Sequence, residues 1–211
     1  MNTIKRLTAF LVAAIAAAAL CSCGKENAEG SSSALVGTWE LVKDEYVFCG
    51  ESVGSEVIPD TKMLTFRKDG ICESPEKEED GGLIANIQYK YSEKSKTLSL
   101  IMWMIVIEFK VINLNATDLV FSCPSDFNIF QYVDDKYKIG EKVDTYKGVA
   151  IYEYCCEDDG EYVWEGEYCY KDSKGNIVPC SKISDEEFDG PFTGDKNGYY
   201  DTIVSHLKRV K

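Results

Sequence analysis

The sequence predicts an all-β chain, an antiparallel barrel or sandwich carried behind an export segment. Three observations predict it. Apolar and polar residues alternate over one short run after another between Leu35 and Cys123. Asp-Gly and similar pairs punctuate those runs, as hairpins require. The last dozen residues return to the same alternation. Strand after strand with short turns is the pattern of a closed or two-layered antiparallel sheet.

Taken in order, "LVGTWELV" places Leu35, Gly37, Trp39 and Leu41 on one face of a first strand. "KMLTFRKDGICES" sets Leu64 and Phe66 before Lys68-Asp69-Gly70 and resumes at Ile71, a hairpin signature. "IANIQYKYSEKSKTLSLIM" reads as two strands about a turn at Glu93–Lys96. "VIEFKVINLN" alternates Ile105, Ile107, Phe109 and Val111 against Glu108 and Lys110, and "DLVFSC" follows a turn near Asn115. The apolar run Leu98–Phe109 is broken by Ser99 and is expected to be buried strands, not a membrane span.

The texture changes from Pro124 to Gly198. Ten of the 13 tyrosines lie between Tyr132 and Tyr200. "GVAIYEYCC", "EYVWEG", "EYCYKD" and "GNIVPC" read as short strands, with turns expected at Asp159-Gly160, Gly166 and Lys174-Gly175-Asn176. This is expected to be a Tyr- and Cys-rich meander inserted into the barrel. "YYDTIVSHLKRVK" then supplies a terminal strand with Ile203, Ser205, Leu207 and Arg209 on one face.

The amino end is a targeting pattern. Lys5 and Arg6 precede an almost wholly apolar run, Leu7–Leu20, of 14 residues. A spanning helix needs ~20, whereas a basic start, a short apolar run and small residues make a secretory signal. Leu20-Cys21-Ser22-Cys23 resembles a bacterial lipobox, with a leucine three before the cysteine and a small residue directly before it. That resemblance implies that Cys21 leaves with the signal and that Cys23 becomes the acylated first residue. One acyl chain binds a membrane marginally, while the three implied hold firmly. Gly24 in place of an aspartate points to the outer membrane. Gly24–Ser33 is a polar tether.

Processing leaves about 189 residues with 21 basic against 36 acidic side chains, a net charge near −15. Such a surface repels nucleic acid, so no nucleic-acid partner is expected. Seven cysteines remain besides Cys23: Cys49, Cys72, Cys123, Cys155, Cys156, Cys169 and Cys180. An exported chain sits where disulfides persist, and an odd number leaves one over. With no C-x-x-C pair and a single histidine, His206, no structural zinc site and no cofactor is expected.

Gly37-Thr38-Trp39 on the first strand, Phe66-Arg67-Lys68-Asp69-Gly70 at a hairpin and the closing Leu207-Lys208-Arg209-Val210 together resemble the lipocalin-like domains of small bacterial outer-membrane lipoproteins. The resemblance implies an eight-stranded up-and-down barrel whose first strand pairs with its last. It also implies that Trp39 plugs one end and that Arg209 packs over its ring, a cation–π contact of ~0.5–2 kcal/mol. It covers 35–123 and 199–211. The organisation expected is therefore a signal peptide (1–22), a lipidated tether (23–34), a barrel (35–123 with 199–211) and a β-rich insertion (124–198). The insertion leaves open whether the eighth strand is Thr202–Val210 or lies within it.

No catalytic set is expected. His206 falls on the terminal strand with no nucleophile singled out beside it, and no pair among the 36 acids is marked by its neighbours. "DEEFDG" places Asp185, Glu187 and Asp189 before Gly190, as at the start of a calcium loop. Lys196 stands where the bidentate glutamate belongs and Pro191 follows the glycine, so a solvated acidic loop is the expectation. A two-residue turn at Lys174-Gly175 would set Cys169 opposite Cys180, and a three-residue loop with a glycine bulge would shift the register by one; either way both lie near the base of one hairpin, and a Cys169–Cys180 disulfide is expected. Cys155 and Cys156 are expected on opposite sides of a strand. Tyr152, Tyr154, Tyr162, Trp164, Tyr168 and Tyr170 could form a stacking platform, or ordinary strand faces. The expected function is a lipid-anchored, non-catalytic envelope module that holds a small apolar ligand in the barrel mouth, lined by Ile105, Ile107 and Phe109. The alternative is an interaction lipoprotein whose aromatic insertion meets a partner protein or glycan.

Overall fold

A computed structural model of the chain describes residues 33–73, 87–102, 105–125, 137–158, 161–184, 188 and 190–211. Cys23, the signal, nearly all of the tether, and Asp185, Glu187 and Asp189 lie outside the described residues. So do the side chains of Ile105, Cys155, Cys156, Tyr162 and Trp164.

Among the described residues the chain forms fourteen strands. They are β1 (Gly37–Phe48), β2 (Glu51–Phe66), β3 (Ile71–Glu73), β4 (Ile87–Ser92), β5 (Thr97–Met102), β6 (Ile105–Leu114) and β7 (Asp118–Pro124). Then come β8 (Tyr137–Tyr146), β9 (Val149–Asp158), β10 (Glu161–Lys171), β11 (Ile177–Lys182), β12 (Phe192–Gly194), β13 (Tyr199–Tyr200) and β14 (Thr202–Arg209). β1 to β7 form a meander, and β14 pairs with both β7 and β1, so eight antiparallel strands close into a barrel of lipocalin-like order. The terminal run is thus the eighth strand. Closure leaves no open edge among these eight, the usual solution to the edge problem.

Inward alternation is clean on β4, β7 and β14, where every second residue is buried. β1 departs from it. Between Leu41 and Lys43 β1 advances two residues while β14 advances one, a one-residue bulge. Period-two alternation therefore changes phase. Trp39 faces inward below the bulge, and Asp44, Tyr46 and Phe48 face inward above it.

The lower end of the barrel is sealed. Arg209 pairs with Trp39 in register, and its guanidinium lies 4.1 Å from the ring centroid. It also donates to the carbonyls of Val36 (2.7 Å), Ala116 (2.8 Å) and Ala34. Trp39 Nε1 donates to Leu35 O at 2.8 Å, so the buried indole has no unmet donor. Gly37, at φ +141°, admits the guanidinium: a Cβ there would stand 2.2 Å from Arg209 Nη1. The two residues that the sequence sets at opposite ends of the chain are one cluster.

The upper end carries the insertion. β8 to β11 with β13 form a second, five-stranded sheet, and β12 adds to the outer half of β2. Phe48 meets Tyr146 and Tyr170 at 5.1 Å between ring centroids. Tyr46 meets Tyr200 at 4.9 Å and both Phe188 and Phe192 at 5.6 Å. Gly54 lets Phe192 lie flat on β2, since a Cβ there would stand 2.2 Å from the ring. Asp201 ties the sheets together, accepting from Cys49 N–H (2.7 Å), Tyr170 Oη (2.9 Å) and Thr202 Oγ1 (2.8 Å).

Two sequence expectations for the insertion are corrected. "EYVWEG" and "EYCYKD" are one strand, β10, and Gly166 falls at a break in its pairing with β9, not at a turn. Cys169 and Cys180 do not form a disulfide. The loop spans Ser173 to Gly175, with Gly175 at φ +82° and Asp172 bonded to Asn176. It is the three-residue alternative, so Cys169 faces Pro179 and Cys180 faces Tyr168. Side chains one register step apart leave opposite faces of a sheet, and the two sulfurs cannot meet.

Candidate functional site

The barrel interior is apolar along the β4–β7 wall. Near Trp39 the inward side chains Leu98, Leu119 and Leu207 are sealed at 0–1 % exposure. On the β4–β7 wall, Tyr89, Leu100, Ile107, Phe109 and Phe121 keep 4–7 %. The larger surface lies on the apolar wall, including two of the three residues expected to line a ligand site, Ile107 and Phe109. Phe109 and Phe121 pack edge-to-face at 5.1 Å.

The opposite wall is polar. β1 lies four strands from β5 around the barrel, and β2 four strands from β6. Asp44 stands in register between Ser205 on β14 and Glu56 on β2, and all three are buried. Ser205 Oγ donates to Asp44 Oδ1 at 2.6 Å, the carboxylate's single hydrogen bond among the described residues. Glu56 is held more fully. Tyr46 Oη donates to its Oε2 (3.2 Å) and Gly190 N–H to its Oε1 (2.7 Å). Gly190, the one described residue of the sequence's candidate calcium loop besides Phe188, thus serves to anchor a carboxylate. Among the described residues no group of three or more potential ligands is placed to hold a metal.

Burial drives the electrostatics. It pushes the Asp44 carboxyl up to about 6; Glu56 adds to the rise, while the Ser205 bond and Lys62 oppose it. A buried carboxyl with such a value marks a functional-site candidate. Burial, with Asp44 adding, likewise raises the Cys123 thiol to about 12, so this sulfur is no thiolate nucleophile near neutrality. His206 alternates away from Ser205 and stands outside the barrel, its Nε2 3.3 Å from Glu45 Oε2. Serine and histidine are neighbours in sequence and on opposite faces of the wall. One further polar atom completes the upper interior. Ser125 continues the inward alternation of Leu119, Phe121 and Cys123, and its buried Oγ has no hydrogen-bond partner.

Four of the six residues of the aromatic platform have described side chains. Tyr154 and Tyr170 are buried, and Tyr152 and Tyr168 are half-buried. Tyr170 points its ring at Phe48 and its hydroxyl at Asp201, that is, towards the barrel. Sequence inspection did not single out Asp44, Glu56 or Ser125. Straight alternation from Trp39 puts Asp44 outside, and only the bulge turns it in. Among the described residues no helix is long and apolar enough to cross a membrane. No family model, curated protein or solved structure matches the chain.

Proposed function

We propose that this chain is a lipid-anchored, non-catalytic envelope protein that holds a small, largely apolar ligand in the upper half of its barrel. The observation that carries the proposal is the closed antiparallel barrel, plugged at one end by Trp39 and Arg209 and lined by Leu100, Ile107, Phe109 and Phe121. A concave apolar surface with a few convergent polar groups is the usual form of a small-molecule site. The lipobox-like Leu20–Cys23 supports anchoring through acylated Cys23, and Gly24 supports the outer membrane. The alternative, recognition of a partner protein or glycan by the insertion, has less support, because Tyr154 and Tyr170 are buried.

The test is native mass spectrometry of the protein taken from its own envelope, with mass analysis of its amino-terminal peptide. The expected result is a non-covalent adduct on the folded chain and a peptide that begins at Cys23 with three acyl chains. An unliganded mass throughout would overturn the binding role, and an unmodified Cys23 the anchor.

A further inference from the structure

Resting on the reading of Cys23 as a lipid anchor, we infer that the plugged end of the barrel docks on an anionic phospholipid surface through Lys68, Lys94, Lys96 and Lys211, so that the barrel stands on its membrane with the insertion pointing away. Chain direction brings these side chains to one place. In an up-and-down barrel the start of β1, the turns β2–β3, β4–β5 and β6–β7, and the end of β14 all lie at one end. Here that end is the Trp39–Arg209 plug. Arg209 reaches the carbonyls of Ala34, Val36 and Ala116, and Val210 N–H donates to Thr38 O at 2.9 Å. Lys68 lies on the first of these turns, Lys94 and Lys96 on the second, and Lys211 just beyond β14, all exposed.

The acids of this end are mostly paired. Arg67 holds Asp69 and, at 2.6 Å, Glu73, and Lys208 holds Asp118. The four lysines form no ion pair among the described residues, and Glu93 is the one acid left beside them on the described turns. The chain's negative charge lies elsewhere. Between Pro124 and Gly198, a stretch that leaves and rejoins the barrel at its upper end, 18 acids stand against 8 basic residues. The strand β14 rises ~26 Å along its length and, at the usual tilt, about 20 Å along the barrel axis. That exceeds two Debye lengths of ~8 Å at physiological salt, so those acids do not cancel the lysines at a surface touching the plugged end. The two ends instead form a dipole that sets orientation. The anchor points the same way. Cys23 lies ten residues before Ser33, the first described residue, and ten residues reach at most about 36 Å. Anchoring thus delivers the lysine-bearing end to the headgroups at high effective concentration, where a basic cluster binds anionic lipid.

The protein, purified from its own envelope, is reconstituted into vesicles of phosphatidylcholine alone or with added phosphatidylglycerol, and amide exchange is followed at low salt and at about 1 M salt, where the Debye length is ~3 Å. With phosphatidylglycerol at low salt, Arg67–Gly70 and Glu93–Lys96 are expected to exchange at least threefold more slowly, and Asp172–Asn176, the β10–β11 turn, to be unchanged. High salt should abolish the slowing, as should Lys68→Gln, Lys94→Gln, Lys96→Gln and Lys211→Gln combined. Lys142→Gln, Lys147→Gln, Lys171→Gln and Lys174→Gln combined, all exposed on the insertion, should leave it intact. Equal exchange in both lipids, slowing that survives salt or the first set of substitutions, slowing lost in the second set, or slowing at Asp172–Asn176 instead would overturn the docking and leave the anchor standing. A protein that does not attach to phosphatidylcholine would overturn the anchor. Sedimentation with pure phosphatidylglycerol vesicles at low salt then decides the docking: the parent should pellet at least fivefold more than the first set, and equal pelleting would overturn it.

Discussion

Asp44→Asn should make the protein more stable at alkaline pH, although it removes a buried hydrogen-bonding group. The native state raises the Asp44 carboxyl from 3.8 to about 6, chiefly through burial. Between those values the folded chain binds a proton that the unfolded chain has lost. Asp44 therefore contributes most stability below about 3.8, and that contribution is lost as pH rises through about 6. At pH 8 the ionised group is roughly 3 kcal/mol less favourable to folding than the neutral one, at 1.36 kcal/mol per unit. Asparagine is neutral at every pH and keeps an acceptor for Ser205 Oγ. Its unpartnered NH2 offsets about 1 kcal/mol, so the net gain at pH 8 is about 2 kcal/mol. For a domain of this size that is a rise in Tm of roughly 4–8 °C. The measurement is urea unfolding of both proteins from pH 4 to pH 8, followed by tryptophan fluorescence. The difference should be largest at pH 8 and shrink to nothing or reverse by pH 4. A parent chain more stable at pH 8, or a difference that does not change with pH, would refute the account of Asp44 as a buried, charge-penalised carboxylate.

Arg209→Ala removes three donors to carbonyls and the contact with Trp39 and should destabilise by about 3 kcal/mol; Arg209→Lys should recover part of it in the same thermal melt. Gly54→Ala drives a Cβ into Phe192 and should loosen the strap around β12, seen as faster amide exchange at 190–194 with barrel strands β4–β7 unchanged. A non-reducing peptide map should contain no Cys169–Cys180 cross-link, because the register of β10 and β11 separates the two side chains; finding it would refute that register.

Local signals in the sequence determined much of this protein. The pairs β4–β5 and β6–β7 lie where the alternation of "IQYKYS", "TLSLIM", "VIEFKV" and "DLVFSC" places them, because the side-chain period of a strand is two and these turns are short. The Trp39–Arg209 plug was legible from a glycine, a tryptophan and a distant arginine. The second sheet was only partly legible. β8 has a weak pattern with two breaks in pairing, and Gly166 imitates a turn inside one long strand. The inner polar wall was hidden altogether. A single extra residue near Val42 reverses the phase of β1, so Asp44, Tyr46 and Phe48 turn from the solvent face to the core. Where such a bulge forms is decided by neighbours far away in sequence, β14 and β2, because only their hydrogen bonds define the register. The alternation within one strand reveals two faces; tertiary pairing alone decided that Asp44 and Glu56 share the inner one.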